Sequence, residues 1–89
     1  MIKESKNIIC FTCEHILYNN MPILYVAHDI EGDWQFLCGK NNHNEKEGKV
    51  IFLKEAIEID ATLINLLEMP IGSGVERKFI GDNWRYIKL

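Results

Sequence analysis

A chain of 89 residues is enough for one domain and too short for two, so residues 1–89 are read as a single unit. Its 47% hydrophobic and 26% charged content is that of an ordinary globular protein and excludes a disordered one. The 10 Lys and Arg against 13 Asp and Glu leave a net charge of −3, with the basic residues scattered and only Arg77 and Lys78 adjacent, which excludes the basic face that nucleic-acid binding needs.

Residues 1–7 are polar and are expected to fray. From Ile8 to Ile16, Ile9, Phe11 and Cys13 alternate with Cys10, Thr12 and Glu14, which predicts a strand. Asn19-Asn20-Met21-Pro22 is turn chemistry, because Pro22 has no N–H to continue a ladder. Ile23 to His28 is apolar on both sides and predicts a second strand, inside the sheet. Asp29 to Asp33 closes a hairpin, with Gly32 able to take a positive φ. Trp34 to Cys38 returns as the third strand, with Trp34, Phe36 and Cys38 on one face and Gln35 and Leu37 on the other.

Gly39 to Lys49 is a polar loop, the longest stretch that a core does not need. Val50 to Leu53 resumes order as a short strand or helix lead-in, and Leu53, Ala56 and Ile57 have helical spacing. Asp60 caps a second helical segment whose buried stripe is Leu63, Leu66 and Leu67. Pro70 stops that helix, and Gly72-Ser73-Gly74 forms a turn in which at least one glycine takes a positive φ. Val75 to Ile80 and Trp84 to Leu89 make a last hairpin around Gly81-Asp82-Asn83. Together these predict an α+β domain, an antiparallel-dominated sheet of about five or six strands with one or two short helices packed on one face. Trp34, Phe36, Leu63, Leu66 and Leu67 are expected in one core, since the strand face and the helix stripe must cover each other.

The longest apolar runs, such as Met21 to Ala27, fall far short of a bilayer span. Met1-Ile2-Lys3-Glu4-Ser5-Lys6 lacks the apolar stretch of a secretory signal, so the expected compartment is the cytosol. There Cys10, Cys13 and Cys38, an odd number, are expected to stay reduced rather than build a disulfide framework.

The strongest chemical candidate is Cys10-x-x-Cys13-x-His15, with Cys38 and His43 further on, because zinc prefers Cys and His ligands. A strand over this segment would send Cys10 and Cys13 to opposite faces, and Cys38-x4-His43 is loosely spaced for the second half of a site. The plainer assignment is three cysteines serving as small core hydrophobes. A redox pair would need a helix N-terminus to lower one thiol pKa, which a strand does not supply. Cys13 or Cys38 beside His15 or His28 has the makings of a thiol nucleophile, but no oxyanion loop accompanies it. His28-Asp29 and Asp33 bracket a solvated turn. Gly72-Ser73-Gly74 before Glu76-Arg77 lacks the lysine and the following helix of a phosphate cradle. Trp34 and Trp84 read as core or rim anchors, and exposed at an edge either would suit a protein-binding hot spot. With no convergent acid, base and nucleophile, neither an enzyme nor a cofactor is expected.

Two stretches taken together are more specific. Gly32-Asp33-Trp34-Gln35-Phe36-Leu37-Cys38-Gly39 resembles the Trp-x-Phe-x-x-Gly strand of a family of small bacterial immunity-protein-like proteins, the immunity protein thirty-three type. Ile59-Asp60-Ala61 through Leu66-Leu67 to Pro70-Ile71-Gly72-Ser73 and Glu76-Arg77 is similar to that family's second signature, and Trp84 matches its closing aromatic. The resemblance spans residues 23–89; Ala61 replaces a frequent proline, and the run Asn41 to Glu45 is more neutral than the family's acidic loop. It implies a non-enzymatic protein-binding module with a toxin-neutralising or other protein-binding role, and no catalytic residues to carry over. The candidate contacts are His43 and Glu45 in the polar loop together with Trp34 and Trp84. The alternative is a small zinc-stabilised or thiol-dependent domain using Cys10, Cys13, His15, Cys38 and His43.

Overall fold

Short runs of alternating apolar residues pair here into one sheet. The computed structural model describes residues 8–39 and 48–89. Its strands are β1 (Ile9–Thr12), β2 (Tyr25–His28), β3 (Trp34–Leu37), β4 (Lys49–Phe52), β5 (Ser73–Glu76) and β6 (Arg85–Lys88). Between them lie α1 (Glu14–Tyr18), α2 (Leu53–Ile59) and a 3-10 helix (Ala61–Leu66). The 6-stranded sheet runs β4-β1-β3-β2-β5-β6. Its neighbours are antiparallel except β1 and β3, which are parallel. The α+β class and the mostly antiparallel sheet agree with the expectation. The hairpin between β2 and β3 forms as expected, held by Asp29 Oδ1, which accepts from the N–H groups of Glu31 and Asp33.

The register sets Cys10 beside Trp34 and Ile51, and Val26 beside Phe36 and Val75, so one face carries a continuous apolar row. Ile16 of α1, Leu53 and Ala56 of α2, and Leu63 of the 3-10 helix bury against that row, with Leu66 and Leu67 at its margin. Local signals start the helices. The Phe52 N–H donates to Glu55 Oε1 at 2.9 Å, which is half of a capping box. Asp60 Oδ1 accepts from Thr62 N at 3.0 Å and Thr62 Oγ1 at 2.6 Å, as an N-cap aspartate should.

The boundaries differ from expectation in two places. The strand predicted over 8–16 ends at Thr12, and Cys13 opens α1. β3 lies between β1 and β2, so the chain leaving β1 must cross over β3 before it can pair again. A helical turn that buries Ile16 makes that crossing. At the other end, β5 stops at Glu76 instead of reaching Ile80, and β6 begins at Arg85. Arg77 follows β5 with its side chain turned inward onto the Ile23 carbonyl, while its N–H still bonds the Leu24 carbonyl at 2.9 Å. Gly74 sits within β5, where a Cβ would come 3.0 Å from Leu89 Cδ2. The glycine at positive φ is Gly72, at +86°.

Gly72 has open space around the position of a Cβ, so Gly72→Ala is resisted by backbone conformation alone. We expect Gly72→Ala to destabilise by about 1 kcal/mol in urea unfolding. Leu63→Ala, at a fully buried site, should lose about 2–5 kcal/mol. Leu66→Ala should lose less, because Leu66 is only partly buried; an equal loss would mean that the stripe is centred elsewhere.

Candidate functional site

Thr12 and Phe36 are partners in the parallel pair β1–β3, so the segments leaving the two strands emerge side by side. Cys13 is the N-cap of α1, His15 lies in its first turn, and Cys38 follows β3 directly. Cys38 Sγ lies 3.6 Å from His15 Nδ1. One ligand-capable atom from each of Cys13, His15 and Cys38 falls within 4.8 Å of the others. Cys13 and Cys38 are buried and His15 is half-buried. No disulfide joins the three cysteines.

Cys10 is not a member of this group. Its thiol points toward the Ile8 carbonyl at 3.9 Å, and burial with the nearby Asp33 charge pushes it up to about 12, which keeps it protonated. The expectation that a strand separates Cys10 from Cys13 is therefore corrected on its cause. The strand has ended before Cys13, and of the expected group Cys13, His15 and Cys38 come together without Cys10. A thiol nucleophile at Cys38 is disfavoured, since 2% exposure gives a substrate no approach to the sulfur. His43 and Glu45 lie outside the described residues.

Trp34 belongs to the core rather than to a contact surface. It is 5% exposed and stacks between His28, at 4.0 Å, and Phe36, at 6.0 Å. His28 is oriented by the Met69 carbonyl, 2.8 Å from its Nδ1. Trp84 is half-buried and lies over the Arg77 guanidinium, 4.1 Å from Cζ to the ring centroid. Arg77 is buried; its Nε and Nη2 donate to the Ile23 carbonyl at 3.2 and 2.9 Å, and Nη2 also donates to Asp60 Oδ2. Burial raises the Asp60 carboxyl, but hydrogen bonds from Thr62 and Arg77, with the Arg77 charge, more than offset this and hold it below its ordinary value. Asp60, Arg77 and Trp84 border an open pocket of about 320 Å³. Its one buried cation is already bound to Asp60, so the glycine turn and Arg77 form no phosphate cradle.

The opposite face of the sheet was not anticipated. Cross-strand pairs Ile9–Phe52 and Phe11–Val50 stand on the side away from the helices. Their exposures are 53%, 49%, 38% and 60% in that order. The available signal was that β1 and β4 are apolar on both faces, a pattern that in sequence reads as burial on both sides. The acidic group Asp29, Glu31 and Asp33 is a turn fastening; the Asp33 N–H, ahead of Glu31 N–H and Gln35, holds the Asp29 carboxyl below its usual range.

Removing Arg77 would strand the Asp60 carboxylate, and Arg77→Ala is expected to cost about 3–5 kcal/mol in chemical unfolding. The Asp60 contribution is present above its ordinary value of 3.8 and is lost as pH falls through the lowered folded value. Asp60→Asn should therefore flatten the acid limb of the stability profile, and an unchanged limb would assign that dependence to other carboxylates. No family model matches the chain, and no curated protein or solved structure matches it.

Proposed function

We propose that this protein is a non-enzymatic protein-binding module whose contact surface is the open face of β1 and β4. The observation that carries this reading is the pair of apolar cross-strand contacts, Ile9–Phe52 and Phe11–Val50, with every side chain 38–60% exposed. A contiguous apolar patch on a small domain marks an interaction site. Residues 1–7 and 40–47 contain only Met1 and Ile2 as large apolar side chains, so the rest of the chain offers little to cover it. Burying four half-exposed side chains contributes roughly 1 kcal/mol each, which is too little to offset association alone. Polar contacts must supplement it, and His43 and Glu45, which lie outside the described residues, are the side chains that the sequence offers for them.

The finer form of the proposal is an immunity protein that occludes a bacterial toxin. Its support is the resemblance over residues 23–89. Asp60, Arg77 and Trp84 from the resembling stretch also contact one another, as residues of one structural signature would.

The test is crosslinked capture from the native host using wild type, Val50→Glu and Phe52→Glu, each first shown to be folded by circular dichroism. We expect wild type to capture one partner stoichiometrically, and the variants to capture about tenfold less, as loss of a hot spot of roughly 1.4 kcal/mol gives. Undiminished capture by both variants would move the site off this face. For the toxin form, the partner must arrest growth when expressed without this protein.

A further inference from the structure

We infer that Cys13, His15 and Cys38 form a binding site for a zinc-class divalent cation, to which they supply two thiolates and one imidazole. The site is independent of the apolar face and stands whether or not a protein docks there. Its first support is geometric. Zinc–sulfur and zinc–nitrogen distances of about 2.3 and 2.0–2.1 Å give a tetrahedral S–N edge of about 3.6 Å, and Cys38 Sγ stands 3.6 Å from His15 Nδ1. The third donor, from Cys13, falls within the same 4.8 Å envelope, so side-chain adjustments of about 1 Å or less would bring all three to the roughly 3.6 Å edges of one tetrahedral centre.

The second support is the scaffold. Cys13 and Cys38 follow directly from strands whose parallel register is set by the β1–β3 pairing, and Thr12 Oγ1 donates to the Phe36 carbonyl at 2.7 Å across the same point. Two ligands, each one residue past a paired strand, and one in the first turn of α1 are positioned before a metal arrives, which lowers the ordering cost of binding.

The donor set decides the class of cation. Among the described residues no carboxylate joins the cluster, and its sulfur and nitrogen donors do not suit the hard cations Mg²⁺ and Ca²⁺, which prefer oxygen. Two sulfurs and an imidazole suit zinc and its spectroscopic substitute Co²⁺. Binding would release the two thiol protons and form a neutral centre, and it would staple α1 to the end of β3. Cys10, buried but directed elsewhere, is the internal control.

The test is titration of the reduced, full-length protein with Co²⁺ in the absence of oxygen. We expect one equivalent to bind with thiolate-to-cobalt charge transfer and the intense visible bands of a tetrahedral site, and Zn²⁺ to bleach both. X-ray absorption of the zinc-loaded wild type should show two sulfurs at about 2.3 Å and nitrogen or oxygen at about 2.0–2.1 Å, a readout that requires no variant to fold. Cys10→Ser should retain the cobalt spectrum, whereas Cys13→Ser and Cys38→Ser should lose the charge-transfer band. A wild type that binds no Co²⁺, or binds it only in an octahedral form, would overturn the proposal and leave a thiol–imidazole hydrogen bond as the content of the cluster. Three sulfurs in the zinc shell, or a spectrum abolished by Cys10→Ser in folded protein, would overturn it as well.

Discussion

Arg77 carries its charge into the protein with only 3% of its side chain exposed, and a guanidinium can be left there only if its donors find acceptors. It finds them on two separate parts of the chain. The Ile23 carbonyl comes from the segment entering β2, and the Asp60 carboxylate from the junction of α2 with the 3-10 helix. The Arg77 backbone adds a bond to the Leu24 carbonyl at 2.9 Å. Trp84 closes the open side of the guanidinium with its ring. One side chain thus ties the start of the 3-10 helix to the segment that enters β2. Asp60 has the complementary constraint, because a single carboxylate both starts the 3-10 helix and neutralises the arginine.

That closure accounts for the asymmetry of the domain. α1, α2 and the 3-10 helix all bury their apolar residues against one sheet face, the one bearing Cys10, Trp34, Phe36 and Val26. An antiparallel sheet tolerates water on its second face when that face is polar. Toward β5 and β6 this is managed with Gln35, Glu76 and Arg85, and with Ile87 and Leu89 lying over Gly74. Toward β4, at the edge of the sheet, Ile9, Phe11, Val50 and Phe52 are left half-exposed. A fold selected for stability alone would place charge there, as edge strands commonly do. The apolar row is the local inconsistency in an otherwise consistent sequence, and such inconsistencies are where function concentrates.

Much of the fold was legible in the residues because it is local. The turn at Asp29–Asp33, the face of β3 bearing Trp34 and Phe36, the cap at Asp60 and the turn at Gly72 each follow from side chains within a few positions of one another. The candidate site was less legible. Cys13, His15 and Cys38 meet because a strand stops at Thr12 and because β1 pairs with β3 in parallel. Neither fact is written in the spacing of the cysteines. A strand carried on to Ile16 in the same register would have put Cys10 and Cys13 on opposite sides and His15 on the face opposite Cys38.

Composition, periodicity and turn chemistry determined by themselves an α+β fold with a mostly antiparallel sheet, because each depends on residues that are neighbours along the chain. Tertiary structure alone decided the parallel pairing of β1 with β3, the short α1 that crosses β3, the inward turn of Arg77 and the face left uncovered. These depend on which distant segments compete for the same buried surface. An arginine reads as a surface residue until a carboxylate and a carbonyl from elsewhere enclose it, and an apolar strand reads as buried until the fold runs out of helices to cover it.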